Sequence, residues 1–311
     1  MAIYEYGARF AGKAVIDWDP ETGIPDTEAA IYRISLSWDD SENGERWTDR
    51  FSKFLADPAS SRVTGIVVGN WGGMGDESSQ PVVEALVAAR ERLPELNAIF
   101  LGEILAEECE ISWITQTDVS PLFEAYPGLE YFRVRGGNSL RIGTLHHDRL
   151  RELGVETGGL SRDVVHGIFS SRLPTLEHLE LWLGTDEYGA DTTVEDLAPL
   201  LSGTLFPRLR YLGLRDSEIA DEVAAVLAHA PVLEQVRVLD LSLGTLGDAG
   251  AAALLASPAT RKLGKLDLHH HFCSDETVAA LQGLGMEVDV SDRQEPRSWG
   301  DGDHRFVAVG E

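Results

Sequence analysis

LRYLGLRDSEIADEVAAVLAHAPVLEQVRVLDLS, residues 209–242, carries one full period of the chain. It opens on Leu209, Leu212 and Leu214 at L-x-x-L-x-L spacing, runs through apolar residues at helical spacing over 221–231, and closes on the same pattern at Val236, Leu239 and Leu241. In an extended segment alternate side chains point to opposite faces, so the leucines of x-L-x-L go inward and the x residues outward. The stretch between them is acidic at its start and meets Pro231 at its end, the signals of a helix beginning and stopping. One strand with one helix cannot bury its own apolar face, so each period must stack on neighbours of the same kind.

The pattern recurs in both directions. Upstream it falls at Ile31/Ile34/Leu36, Val63/Ile66/Val68, Leu96/Ile99/Leu101, Leu129/Phe132/Val134, Leu150/Leu153/Val155 and Leu176/Leu179/Leu181; downstream at Leu263/Leu266/Leu268 and, degraded, at Gly285/Val288/Val290. Successive middle positions lie 32, 33, 33, 21, 26, 33, 27, 27 and 22 residues apart. Helical return segments are predicted at 81–94, 194–203, 221–231, 248–258 and 275–285, and the units at 133–153 and 154–179 carry the weakest helical signals.

At these residues the chain resembles the leucine-rich repeat family, nearest the ribonuclease-inhibitor-like, cytosolic kind with a helix on the convex side; it is also similar to a bacterial branch of such proteins, a likeness that implies no activity. The resemblance spans 31–292, about nine to ten units, and implies an α/β horseshoe solenoid with a parallel, concave β-sheet. The Asn or Cys that the family places two residues after the last strand leucine occurs only at Asn70; Trp38, Glu103, Gly136, Thr157, Leu183, Asp216, Leu243 and His270 stand elsewhere. The turn after each strand must therefore satisfy its backbone groups in another way. Residues 1–30 read as an N-terminal cap and 293–311 as a C-terminal cap or tail, with RFVAV (305–309) expected as a final edge strand.

Composition bounds the partners. The 311 residues hold 26 Lys+Arg against 52 Asp+Glu, a net charge of −26. Phosphate backbones and anionic membranes would be repelled, which argues against nucleic acid and membrane as partners. No basic segment followed by an apolar one opens the chain, no apolar run is long enough to span a bilayer, and Cys109 and Cys273 alone make no disulfide framework, so a cytoplasmic location is expected.

Function on a repeat sheet is expected on its outward residues. The first column reads Arg33, Gly65, Ala98, Tyr131, Glu152, His178, Tyr211, Val238, Lys265, Glu287; the second Ser35, Val67, Phe100, Arg133, Gly154, Glu180, Gly213, Asp240, Asp267, Asp289; the third Ser37, Gly69, Gly102, Arg135, Glu156, Trp182, Arg215, Ser242, His269, Ser291. Tyr131, Arg133, Arg135, His178, Glu180, Trp182, Tyr211 and Arg215 concentrate the residue types common at binding hot spots, and a protein partner is expected there. The last units instead stack Asp240, Asp267 and Asp289 with Glu287 and His269, an acidic face suited to a basic protein segment or, as a further alternative, to a metal-dependent enzyme.

Catalytic motifs are absent. LHHHFCSD (268–275) puts His269 and His271 on one strand face but lacks the paired ligand motifs of a zinc site, and no metal or cofactor is expected. VVGNWGGMGDES (67–78) sits where a phosphate loop would, without its lysine and with Asp76 and Glu77 at the helix start, and Trp71 is expected exposed or folded on the rim. No nucleophile elbow or triad emerges, so the protein reads as a non-catalytic interaction scaffold of unknown oligomeric state.

Overall fold

The computed structural model describes residues 3–73, 77–300 and 302–310; Asp76, noted above, lies outside them. Its contacts separate into two units, residues 3–156 with Ser171–Leu173, and Thr157–Ser170 with Pro174–Gly310.

In the N-terminal unit β1 (Arg9–Phe10) pairs antiparallel with β2 (Lys13–Asp17). Strands β3 (Ala30–Ile34), β4 (Gly65–Val68), β5 (Ala98–Leu101), β6 (Tyr131–Arg135) and β7 (Glu152–Glu156) follow, each parallel to the one before. Tyr32, Ile66, Ile99, Phe132 and Leu153 stand in register, all buried. Burying one such side chain stabilises by about 1.5–3 kcal/mol, so the inward row is the main cohesive element of the sheet.

The first repeat departs from the expected register. Tyr32 rather than Ile34 pairs with Ile66, and Ile34 pairs with Val68, so the Ile31/Ile34/Leu36 reading is two residues out. Alternation over AIYRISLS suits either placement; Tyr32 decides it, with its ring on Phe54 and its hydroxyl donating to the Asp26 carbonyl at 2.8 Å. Arg33 consequently lies beside Val67, in the second outward column.

Between these strands run α1 (Trp38–Glu42), α2 (Trp47–Ala56), α3 (Gln80–Ala88) and α4 (Ser120–Ala125). Trp47, Phe51, Phe54 and Leu55 form one buried face of α2, with Trp47 stacked on Phe51 at 4.8 Å and its indole N–H donating to the Ile34 carbonyl at 2.9 Å. On β6, the inward Phe132 packs on Phe123 of α4 at 4.7 Å.

In the C-terminal unit β8 (His178–Gly184), β9 (Tyr211–Ser217), β10 (Val238–Asp240), β11 (Lys265–Asp267) and β12 (Glu287–Asp289) are parallel, with Leu179, Leu212, Leu239, Leu266 and Val288 in register. The expected helices form as α7 (Ala220–Leu227), α8 (Asp248–Ala256) and α9 (Asp275–Gln282), while 194–203 yields only the short α6 (Ala198–Leu201), with Pro199 in its first turn and a left-handed Gly203 after it. Of the two units read as weakly helical, 154–179 does hold a helix, α5 (Arg162–Phe169): Ser161 caps it by accepting from the Asp163 N–H, and Val164, Val165, Ile168 and Phe169 are buried.

The strands end in bends. Asp216, Leu243, His270 and Asp292 adopt left-handed backbone, at about 1–2 kcal/mol each for residues other than glycine. The segment expected as an edge strand satisfies three of these bends instead: Val309 N donates to Asp216 Oδ1 at 2.9 Å, Ala308 N to the Leu243 carbonyl at 2.7 Å, and the Phe306 carbonyl meets His270 Nε2 at 3.2 Å. Strands β13 (Arg297–Trp299) and β14 (Gly302–His304) form a separate hairpin, and β12 is the last strand of the sheet.

Candidate interaction surface on the outward face of the sheet

In the N-terminal unit the outward guanidinium groups are bound into ion pairs. Arg133 meets Glu156 at 2.7 Å and Glu152 at 3.1 Å; Arg135 meets the other Glu156 oxygen at 2.7 Å and donates to the Ile104 carbonyl at 2.9 Å. Arg133 reaches across β7 because Gly154 lies beneath it: a Cβ there would stand 2.9 Å from the guanidinium carbon. Arg33, displaced into this column by the register of β3, bridges Asp17 at 2.6 Å and Glu103 at 2.8 Å.

The N-terminal segment closes over this network. Phe10 packs on Phe100 at 5.7 Å, within a cluster that includes Ile31, Val67 and Ala98 and that Tyr131 borders, and Gly7 N donates to Glu103 Oε1 at 2.7 Å. A cleft of about 530 Å³ remains, walled by residues 5–12 on one side and by Phe100, Arg133, Arg135, Glu152 and Glu156 on the other.

The C-terminal unit repeats the theme with the charge reversed. Arg215 serves Glu180 at 3.0 Å and Asp240 at 3.4 Å, and Trp182, only 6% exposed, donates its indole N–H to Glu180 Oε1 at 2.8 Å. The Tyr211 ring lies over Gly213, stacks on His178 at 3.8 Å and donates its hydroxyl to Asp240 at 2.6 Å. Burial first, then the charges of Glu180 and Asp240, push the Tyr211 hydroxyl far above the ordinary phenol range, so it stays a donor. Of these residues His178 and Tyr211 keep an accessible surface, while Glu180 and Trp182 are buried.

The acidic ladder forms as expected, Asp240 beside Asp267 and Asp267 beside Asp289. The repulsion is relieved by the chain's own cations. Lys265 meets Asp267 at 2.9 Å and Glu287 at 3.8 Å, and His269 Nδ1 meets Asp267 at 2.7 Å. Burial opposes ionisation of Asp267, yet the bonds from His269 and Lys265 outweigh it and hold the carboxyl well below its usual range; His269 is raised by the same bond. Asp267, His269 and Asp289 offer donor atoms within 4.8 Å of one another, and a metal ion taking up Asp267 there would compete with its bonds to Lys265 and His269.

The other flagged residues take structural places. His269 and His271 do not share a face: β11 ends at Asp267, the backbone turns at His270, and His271 is buried with Nε2 3.0 Å from the Val290 carbonyl. His147 is buried, accepting from the N–H groups of Arg149 and Leu150. Trp71 is folded in, its indole N–H on the Glu77 carbonyl at 3.0 Å, and Cys109 and Cys273 are free thiols that burial pushes up to about 11 and about 12. Arg33 was expected outward but in the first column, and stands in the second because the alternation of AIYRISLS left its place open by two residues; Glu103 and Phe10 join the network on that face without having been expected there, and no local pattern announces Phe10.

Parallel strands with leucine inward, charge outward and a return segment after each define a leucine-rich-repeat-like protein. Among solved structures, the chain is similar to a protein of Bacteroides fragilis, at 35% identity over 85% of this chain and 74% of that one, with a TM-score of 0.80, and it belongs to the same family. An internalin of Listeria monocytogenes aligns more distantly, at 17% identity over 76% of this chain and 57% of that one, with a TM-score of 0.40. No protein-family model and no curated protein matches the sequence. Among the described residues no helix is long and apolar enough to cross a membrane.

Proposed function

We propose that the protein is a non-catalytic, cytoplasmic scaffold of the ribonuclease-inhibitor-like kind, binding a protein partner on the outward face of its repeat sheet. The observation that carries this reading is the ordering of that face: in both units outward side chains are held by ion pairs, and in the C-terminal one also by the His178–Tyr211 stack, before any partner arrives. A surface whose rotamers are already fixed gives up little entropy on binding. Leucine-rich-repeat folds are also typically binding rather than catalytic folds.

The burial of Trp182 and Arg135 redistributes the expected anchors. Tyr131, His178 and Tyr211, with the carboxylate edge of Glu152, are the groups offered to a partner, and Arg133, Arg135, Glu180, Trp182 and Arg215 hold them in place. In the C-terminal unit the partner's complement is a basic segment, met by Glu287 and Asp289 at the outer end of the ladder. The test is capture of binding proteins by the full chain and by a His178→Ala/Tyr131→Ala variant with unchanged melting temperature. Retention of the same proteins at the same yield by both would overturn the reading.

A further inference from the structure

A second surface stands apart from the sheet face. Among the described tryptophan side chains Trp18, Trp47, Trp71 and Trp182 are at most 6% exposed, whereas Trp38 is 57% and Trp113 61% exposed. Leaving a large indole in water forgoes about 1.5–3 kcal/mol of burial, so two such side chains on one rim call for an occupant.

Both belong to the N-terminal unit and to segments that leave the C-terminal ends of strands: Trp38 opens α1 after β3, and Trp113 lies in the turn after β5. These ends are two interstrand steps apart, about 10 Å. The loop after β4 joins them, since a Cβ at Gly72 would stand 3.6 Å from Ser41 Oγ, and Trp71 lines one small cavity with Cys109 and Ile114. Tyr4, 59% exposed, reaches the same rim, because Ala106 N donates to the Ile3 carbonyl at 2.9 Å.

Carboxylates prevail on this rim, since the neighbouring Arg50 is bound by Asp40 and Glu45 and Arg46 by Asp49. The segments 3–8, 36–45 and 102–115 contain no Lys or Arg, and Asp39, Glu42 and Glu107 are exposed beside the aromatics. An indole face attracts a cation, and a flanking carboxylate adds to that attraction, so aromatic and acidic groups together select ammonium or guanidinium over an anion or a neutral apolar chain.

We propose that this rim binds a lysine- or arginine-rich segment of a protein partner, with Trp38 and Trp113 stacking on its cations and Asp39 and Glu107 pairing with them. The site shares no residue with the sheet face and does not depend on that face being used.

The probe is a nine-residue peptide of alternating lysine and glycine, titrated into the full chain by calorimetry and tryptophan fluorescence, with a glutamate–glycine peptide and phosphatidylcholine vesicles as further arms. The expected result is saturable binding of the lysine peptide, weakened by added salt and weakened about tenfold in Trp38→Ala/Trp113→Ala at unchanged melting temperature. Equal affinity of the double variant would overturn the proposal, as would loss of binding in Asp267→Asn/Asp289→Asn alone, which would instead assign the peptide to the acidic ladder. Vesicle binding that depends on the two tryptophans while the lysine peptide fails to bind would assign the rim to a lipid headgroup.

Discussion

The outward networks of the two units solve one problem in opposite ways. In the N-terminal unit Arg33, Arg133 and Arg135 are the central charges and carboxylates come to them; in the C-terminal unit the carboxylates form the ladder and Arg215, Lys265 and His269 come to it. The chain's own hairpin packs over the first network, with Phe10 on Phe100, while each network keeps its central carboxylate buried, Glu156 in one and Glu180 in the other. Arg133 and Arg135 draw on the same Glu156, so breaking the N-terminal network should be costly, while Arg215 has two carboxylates and the C-terminal network should yield in smaller, pH-dependent steps.

The largest effect belongs to Glu156. It alone joins Arg133 to Arg135 and is only 5% exposed, so Glu156→Gln strips the buried Arg135 of this carboxylate and leaves Arg133 on Glu152, at a cost of about 3–5 kcal/mol. Glu180→Gln is the matched change in the other unit. There Arg215 keeps Asp240, and the loss should be about 1–3 kcal/mol. Urea unfolding of both variants checks the comparison, and equal losses would remove the distinction between a carboxylate shared by two guanidinium groups and a guanidinium with two carboxylates.

The cover itself comes next. Phe10→Ala removes the ring that packs on Phe100 and should destabilise by about 2–3 kcal/mol, at the low end for a buried aromatic because the site lies at the protein surface. It should also open the cleft beside Arg133 and Arg135, read as faster hydrogen exchange at the Gly7 amide that now donates to Glu103.

How much of this was legible follows from the range of each interaction. From β4 onward the leucine spacing specifies strand, face and column, because a period of two within each strand and a long period between strands agree. The pairs Arg135–Glu156 and Trp182–Arg215 can be read as column neighbours. The register of β3 was not legible, since its residues alternate over eight positions and the tie-break is a ring packed on Phe54 of α2. Arg33–Glu103 and Phe10–Phe100 join residues 70 and 90 apart in the chain, and no local pattern encodes them. The fate of RFVAV was likewise set elsewhere, by bends at Asp216, Leu243 and His270 that needed backbone partners.

Asp216 offers a gain rather than a loss. It is fully buried, one carboxyl oxygen accepts from Val309 and the other has no partner, and burial pushes its pKa far up. Because the folded value is raised, folding takes up a proton, and stability falls as pH climbs from the unfolded carboxylate range towards the folded value. Asp216→Asn keeps the acceptor for Val309, tolerates the left-handed bend and removes that dependence. It should stabilise by about 1–2 kcal/mol at pH 7, a rise of a few degrees in Tm, and by less at pH 5.

The smallest effect separates the two networks most cleanly. His269 is raised by Asp267, with Asp240 adding to the effect and Arg215 opposing it, so its contribution is complete below about pH 6.5, the unfolded value, and fades as pH rises through the higher folded value. His269 is half-buried and partly screened, and the term should stay under about 1 kcal/mol. Replacing it in His269→Gln should therefore lower stability at pH 6 and leave it nearly unchanged at pH 9, flattening that part of the Tm profile. The ion pairs around Glu156 are made by guanidinium and carboxylate groups, which hold their charge throughout this range, so Glu156→Gln should shift the profile down without changing its slope. A slope altered by Glu156→Gln, or untouched by His269→Gln, would place the titrating contact outside the ladder and make the two networks equivalent in their response to pH.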